Sequence, residues 1–354
     1  MSNKKSSVDS VRIMMLAAGQ GTRLKPLTYH IPKPLNPVCN KPVMEHTLEW
    51  LAKQGFSDIM INISYFPEMI QNYFGAGGSK GLRISYSYEE KALGTAGGVK
   101  KVENFFNNNT FIIVSGDGLI GVDLKKLLKY HRQKKSMATM LLKKMDMRYE
   151  YGVVLADRNG RIKKFLEKPM WSDFFSCTVN AGVYVFEPEI FEFIPAGKFY
   201  DFGNQVWPDL LKKKKNIYAY TGSGYWCDIG DLIMYRKSHW DAMDGKVPVI
   251  LTSRQIRPKV WVGENTIIDK TAKITPPCLL GANCRIGPGV KLGPYVSIGD
   301  HAQINADSCL QHSVLWNNVT LANRVTVVDS IITNNVSVKS QNIYIKNAVI
   351  TRGL

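Results

Sequence analysis

Apolar and polar positions follow two different periods along the chain. From Val11 to about residue 245, short continuous apolar runs are separated by segments of helical period. VRIMMLAA (Val11–Ala18) is an unbroken apolar run of the kind a strand buried on both faces produces. IMINI (Ile59–Ile63), LRISYSY (Leu82–Tyr88) and TFIIVSG (Thr110–Gly116) are further strand candidates. Between them, VMEHTLEWLAKQG (Val43–Gly55) places Val43, Thr47, Leu48, Leu51 and Ala52 on one helical face, with Gly55 as a natural stop. Asp123 is placed to cap the basic amphipathic segment LKKLLKYHRQKK, and Asp231 to cap LIMYRKSHWDAM. Strands alternating with helices predict an α/β domain with a mixed, mostly parallel sheet covered on both faces. Ligands of such sheets sit beyond the carboxyl ends of the strands.

From Trp261 the period becomes six. Val262, Ile268, Ile274, Leu280, Ile286, Leu292, Ile298, Ile304 and Leu310 recur without a miss. Four residues after each comes Thr266, Ala272, Cys278, Cys284, Val290, Val296, Ala302, Ser308 or Val314, all small or β-branched. A helix with 3.6 residues per turn cannot use this period, whereas a coil of three short strands can. The hexapeptide repeat therefore predicts a parallel β-helix. The register shifts afterwards to Val319, Val325 and Ile331, which places an irregular coil near Trp316–Asn318. The expected organisation is a flexible tail (1–10), a first domain (11–245), a linker (246–260) and the β-helix (261–354).

Composition narrows the classes of partner. The net charge of +17 favours anionic ligands. The lysines are scattered, and the longest run, Lys212–Lys215, suits the end of a helix. Neither zinc-finger spacing nor an aromatic RNA-binding segment is present, so nucleic acid is not an expected partner. The six cysteines form no CxxC pair and read as free thiols in a reducing, cytoplasmic setting. No apolar run has the length of a membrane span, so no membrane is expected either. Cys278 and Cys284 fill small inward repeat positions and read as structural. His301 and His312, which could hint at acyl transfer, read as exposed residues of the coil.

The first strand is followed by LAAGQGTRLKPLTYHIPKP (Leu16–Pro34). A turn with Gly19 and Gly21 lets backbone N–H groups converge on an anion. Arg23 can fork onto phosphate oxygens, and Lys33 sits between two prolines on a stiff backbone. No GK[ST] follows, so this is not a Walker loop. The pattern resembles the signature of the sugar-phosphate nucleotidyltransferases (nucleotide-sugar pyrophosphorylases). The resemblance continues, in the family's order, through EEKALGTAGG (Glu89–Gly98), SGDG (Ser115–Gly118), EKP (Glu167–Pro169), NAG (Asn180–Gly182) and WCDIGD (Trp226–Asp231). CNKP (Cys39–Pro42), the LGTAG segment and YGVV (Tyr151–Val154) resemble the mannose-1-phosphate guanylyltransferase branch most.

The resemblance implies a Rossmann-like sheet of the nucleotide-diphospho-sugar transferase type, then a left-handed β-helix. It also implies a reaction: transfer of a nucleotidyl group from a nucleoside triphosphate to a sugar 1-phosphate, releasing pyrophosphate. The nucleophile is already an anion, so the need is for positioning and neutralised charge. A cation at about 4 Å is worth ~4 kcal/mol at an effective dielectric near 20. The implied catalytic residues are Arg23, Lys33, Asp117 and Asp228, the two aspartates holding Mg²⁺. Their ordinary alternatives are a turn aspartate for Asp117 and a helix cap for Asp228. Leu16, Ala17, Ala18, Gly19, Gly21, Thr22, Glu89, Gly94, Thr95 and Ala96 would bind the nucleotide, the TAGG amides approaching it from a helix start. Gly152, Glu167, Lys168, Asn180 and Asp201 would hold the sugar phosphate. Glu89, or Glu90 beside it, would accept two hydrogen bonds from guanine, which favours GTP and GDP-mannose. The chain departs from the family at Tyr200–Pro208, where Asn204 and Gln205 replace a Lys-Asp pair, and at Gly121, where an acidic residue is common. Transfer of thymidylyl or uridylyl groups to glucose 1-phosphate is the neighbouring reading, and a non-catalytic regulatory subunit is another. The ends of a β-helix need covering, which predicts a homo-oligomer through that domain.

Overall fold

A computed structural model describes residues 11–145, 151–170 and 175–352, with Ser79 described by its backbone alone. The expected tail at residues 1–10 lies outside them. Contacts divide the chain into two compact units. One joins the chain up to Gln20 with Thr47–Asp228, and the other joins Gly21–His46 with the chain from Ile229 onward.

The first unit is built on a nine-stranded sheet. Its parallel core runs Phe111–Ser115, Arg12–Leu16, Asp58–Ile63, Arg83–Tyr88, with Ile13 opposite both Ile112 and Ile59. Buried aliphatics on successive positions, such as Ile13, Met14 and Met15, show why these runs do not alternate: helices cover both faces. Thr178–Phe186 joins antiparallel to Phe111–Ser115 and also pairs with Ala138–Lys144 and Val153–Ala156. Ile217–Thr221 extends the sheet parallel to Ala138–Lys144. The helix expected at Val43–Gly55 spans Val43–Lys53. Asp123 caps Leu124–Gln133 by accepting from Lys126 N at 3.0 Å. Lys212 ends the helix Trp207–Lys212, as the charge run suggested. Among the described residues, no helix is long and apolar enough to cross a membrane.

The second unit contains a three-sided parallel β-helix. Cys278 pairs with Val296, Ile286 with Ile304 and Leu292 with Leu310, one per side. Leu280, Ile286, Leu292, Ile298, Ile304 and Leu310 are all buried, as are Cys278 and Cys284. One corner stacks Asn265, Asn283, His301, Asn318 and Asn335 in the left-handed region, which Asn tolerates better than most residues. His301 and His312 are both such corner residues. The register break lies elsewhere than Trp316–Asn318. Leu280 pairs with Ile298, eighteen residues on, but Ile298 pairs with Leu315 and Leu310 with Val327, one residue fewer. The shortened corner is at His312. Beyond it Leu315, Leu321 and Val327 carry on the large inward row and Val319 and Val325 the row of small positions, while Ile331 stacks on Val314 and Ser297, one residue past the small row of Cys278, Val296 and Ser313.

The contacts do not follow the contiguous division expected from the sequence. Helix Leu232–Met243, capped by Asp231 through Met234 N, draws the segment Gly21–His46 to itself. Cys39 N donates to His239 Nδ1 (3.2 Å), so the other ring nitrogen donates to Pro37 O (3.1 Å). Tyr235 OH also donates to Pro37 O, and Asn40 Nδ2 donates to Ile298 O at 2.8 Å. Within the expected linker, Arg254–Arg257 is an exposed strand that pairs antiparallel with Val260–Val262, the first strand to pair parallel with the coil above.

Candidate active site

In the first unit a cavity of about 250 Å³ opens at the carboxyl ends of the four adjacent parallel strands. Each strand end supplies part of its wall. Leu16 ends the first strand with Ala18 and Gly19 just beyond it, Asn62 nearly ends the second, Glu89 follows the third, and Ser115 ends the fourth with Asp117 just beyond it. Gly94, Thr95 and Asp201 complete it. This is where an open α/β sheet places its ligands.

Glu89 is buried and fixed at both oxygens. Asn62 Nδ2 donates to Oε1 (2.8 Å), and Leu93 N donates to Oε2 (2.9 Å). Asn62 Oδ1 in turn accepts from Ala17 N (2.9 Å), tying the glycine turn to the carboxylate. An ionised carboxylate has about four acceptor positions, so Glu89 retains capacity toward the cavity. Glu90, its alternative, is exposed and does not line the cavity. Asn62 carried no sequence motif; a polar residue closing an apolar strand was its only signal.

Gly94 opens the helix Gly94–Lys101 at φ +73°, and a Cβ there would lie 2.5 Å from Tyr200 O. Only glycine combines that backbone with that approach. The amides of Ala96 and Gly97, expected to approach the nucleotide, both donate to Tyr200 O instead (2.9 and 3.0 Å). Asp201 Oδ1 accepts from Gly203 N and Asn204 N, and its Oδ2 from Thr95 Oγ1 (2.7 Å). The departure at Asn204 and Gln205 is thus absorbed in a turn capped by Asp201, with Gln205 Oε1 accepting from Asp201 N.

Asp117 and Asp228 come together on a two-stranded ribbon. Gly118–Val122 pairs antiparallel with Gly224–Asp228, placing Asp228 opposite Gly118 and next to Asp117. Ser115 Oγ donates to Asp117 Oδ1. Gly121 pairs with Tyr225, at the far side of the ribbon from Asp228. Two partly exposed carboxylates suit Mg²⁺, which binds through one or two carboxylates and keeps its other positions for phosphate and water. Among the described residues, no group of three or more His, Cys, Asp or Glu forms a dedicated cage. Trp226 on the same ribbon donates from Nε1 to Ala181 O (2.8 Å), holding the NAG segment nearby. That segment is a bulge: from Asn180 to Tyr184 the strand takes four steps where its partner takes two, Leu142 to Met140.

Glu167 packs where two glycines leave room: a Cβ on Gly152 or Gly203 would lie 2.7 or 2.6 Å from its Oε2. That oxygen is buried with no hydrogen-bond partner among the described residues. Burial, then the charge of Asp201, push the Glu167 carboxyl above the usual range, and Lys168 opposes this. Asn180 Nδ2 donates to Tyr184 OH (2.7 Å) and its Oδ1 accepts from Gly182 N. Lys168 is exposed, with left-handed backbone.

Arg23, Thr22 and Lys33 belong to the second unit, the chain crossing between Gln20 and Gly21. Arg23 is exposed in the short turn Thr22–Leu24, whereas Lys33 is buried in the turn Lys33–Leu35. Gly21 (φ +63°) lies against Lys33, where a Cβ would meet the Lys33 Cβ at 3.0 Å, and Thr28 Oγ1 donates to Gly21 O (2.9 Å).

Residues 12–244 match the family model described as Nucleotidyl transferase, and residues 274–353 match the one described as GMPPB C-terminal domain. A UTP–glucose-1-phosphate uridylyltransferase of Synechocystis sp. is 40% identical over 273 residues, covering 72% of this chain and 69% of that protein. A mannose-1-phosphate guanylyltransferase of Mycobacterium tuberculosis is 32% identical over 278 residues, covering 75% and 77%. A mannose-1-phosphate guanylyltransferase catalytic subunit beta of Drosophila melanogaster is also 32% identical, covering 76% and 72%. The fold is shared with a crystal structure of a putative glucose-1-phosphate thymidylyltransferase from Bacillus anthracis. The TM-score is 0.60 at 24% identity, over 66% of this chain and 95% of that one.

Proposed function

The chain belongs to the nucleotidyl transferase family, and from that premise we propose that it joins a nucleoside triphosphate to a sugar 1-phosphate and releases pyrophosphate. The observation that carries this reading is the cavity at four parallel strand ends with Asp117 on its wall and Asp228 paired beside it. A sugar-phosphate oxygen attacks the α-phosphorus, the bond to the bridging oxygen breaks, and pyrophosphate leaves with that electron pair. Mg²⁺, held by Asp117 and Asp228, would supply positive charge to the α-phosphate. The glycine turn and Arg23 receive the outer phosphates, Lys33 balances charge near the leaving group, and Lys168 meets the phosphate of the sugar. Glu167, Gly152 and Asn180 shape the sugar end, and Gly94 and Thr95 bound the nucleoside.

For the base, Glu89 presents acceptors only, which matches the paired N1–H and N2–H₂ donors of guanine. With mannose 1-phosphate this makes GDP-mannose, the product direction suggested by the guanylyltransferase relatives. The 40% identical uridylyltransferase favours a second reading, UTP with glucose 1-phosphate. Uracil offers one donor, N3–H, and Glu89, already fixed by Asn62 and Leu93, could accept that single bond.

Pyrophosphate release from a grid of nucleoside triphosphates and sugar 1-phosphates, with Mg²⁺ and with EDTA, tests both. Release with GTP and mannose 1-phosphate supports the first reading, and release with UTP and glucose 1-phosphate the second. Silence across the grid would refute the enzyme and leave a non-catalytic subunit. Asp117→Asn should lower turnover by several orders of magnitude while the far-UV spectrum is unchanged.

A further inference from the structure

Strand Ile217–Thr221 runs beside Ala138–Lys144 as far as the pair Thr221–Leu142, and there it leaves the sheet. At Gly224 the chain enters the two-stranded ribbon that ends in Asp228. Carbonyls at such an exit lose their ladder partners and need others. Lys143, the residue after Leu142, supplies them: its ammonium donates to Gly222 O (3.0 Å) and to Gly224 O. The crossing has no slack. A Cβ on Gly222 would lie 2.7 Å from Leu141 Cδ1, and one on Gly224, at φ +104°, would lie 2.3 Å from Gly121 O. Burial pulls the Lys143 ammonium below the usual lysine range, so its charge is partly stripped of water where it meets the two carbonyls.

The two strands of the ribbon are held from different places. On the strand that follows Asp117, Thr47 Oγ1 donates to Gly118 O (3.1 Å) and Gln54 Nε2 donates to Val122 O (3.3 Å), both from helix Val43–Lys53 or its end. The strand that carries Asp228 is held midway by Trp226 and at its entry by Lys143. The separation of the two carboxylates therefore depends on both sets of supports. We propose that Lys143 is a positioning residue: by clamping Gly222 and Gly224 it sets Gly224–Asp228 against Gly118–Val122, and so fixes Asp228 relative to Asp117 for a divalent cation. This rests on the reading of Asp117 and Asp228 as the metal ligands. Lys143 itself touches neither substrate nor metal.

Two measurements on the full chain test this, and neither needs turnover. Hydrogen–deuterium exchange reads the clamp. Lys143→Met, of similar length but without donors, should raise exchange severalfold across Gly222–Asp228 while strand Arg12–Leu16 keeps its protection. Lys143→Arg, which can still donate to both carbonyls, should keep wild-type rates. Mn²⁺ binding followed by electron paramagnetic resonance reads the consequence. Affinity should fall about tenfold in Lys143→Met, the lower end of the loss when an outer support of a metal ligand is removed, and recover in Lys143→Arg. Lys143→Gln should change both readings in the same direction if the methionine variant does not fold. Unchanged exchange in Lys143→Met overturns the proposal, as does unchanged Mn²⁺ affinity in that variant when Asp117→Asn has lost it. If Asp117→Asn binds Mn²⁺ like the wild type, the metal reading itself falls and takes the proposal with it.

Discussion

Replacing Asn62 with alanine strikes the joint between the glycine turn and Glu89. Asn62 is 3% exposed, and its amide bonds Ala17 N at 2.9 Å and Glu89 Oε1 at 2.8 Å. Truncation leaves a backbone N–H and a carboxylate oxygen buried without those partners. Each loss costs about 1–3 kcal/mol, the charged one at the upper end, so the sum is about 2–5 kcal/mol. At about 2–4 °C per kcal/mol for a unit of this size, Tm should fall by roughly 5–15 °C. The KM for the nucleoside triphosphate should rise as the turn and Glu89 lose their common anchor. Asn62→Asp separates geometry from polarity. It sets a second carboxylate against Glu89, so a carboxyl in the pair is raised above its unfolded value. Stability linked to a raised carboxyl is present below the unfolded pKa and lost as pH rises through the folded one. The Asp variant should therefore lie closer to the wild type at pH 5 than at pH 8. Thermal melts by circular dichroism and pyrophosphate-release kinetics read both effects. An Ala variant within about 1 °C of wild type and with unchanged KM would refute the reasoning, as would an Asp deficit independent of pH.

Gly152→Ala drives a methyl to 2.7 Å from Glu167 Oε2, so the KM for the sugar 1-phosphate should rise severalfold while that for the triphosphate moves little; equal shifts in both would count against Glu167 at the sugar end. Burial pushes His239 down to about 3, so the unfolded chain takes up a proton between its ordinary value of 6.5 and that pH while the fold does not. Stability should be full above about 6.5 and fall as pH drops through that window. His239→Gln should lower stability at pH 7 yet flatten that slope, and an unflattened slope would assign it to other groups. At the first coil of the β-helix, Val262, Ile268 and Ile274 are half-exposed and Ile256 and Ile267 exposed, which predicts a homo-oligomer through this end. Light scattering should give a multiple of the chain mass that Ile267→Lys reduces; a wild-type monomer contradicts it.

The β-helix was legible because every coil repeats the same inward positions, so nine hexads agree where one would mean little. Its break was visible but misplaced. Val319, Val325 and Ile331 are as aliphatic as the large row, and the missing residue at the His312 corner leaves no composition signal. In the first unit, continuous apolar runs identified the core strands, and the residues just past them identified the cavity. Hidden from the sequence were the contacts that depend on which strands are neighbours. Asn62 meets Ala17 and Glu89 only because Asp58–Ile63 lies between Arg12–Leu16 and Arg83–Tyr88. Trp226 reaches Ala181 only because Asp228 returns beside Gly118.

The attachment of Gly21–His46 to the second unit was hidden for the same reason, since its partners lie some two hundred residues away. That attachment changes how the glycine turn is read. Gly19 follows a strand of the first unit, while Gly21, Arg23 and Lys33 lie on the second-unit segment that Cys39 and Pro37 tie to His239 and Tyr235 of its helix, and Tyr235 in turn accepts from Trp316 of the β-helix. Arg23 and Lys33, the cations proposed to meet phosphate, therefore lie on a segment that belongs to the second unit. In a reaction that depends on charge placement more than on proton transfer, a shift of about 1 Å in such a cation is enough to matter. On the proposed roles of Arg23 and Lys33, substitutions at Tyr235 or Trp316, which hold Pro37 of the same segment, should change kinetics without touching a substrate.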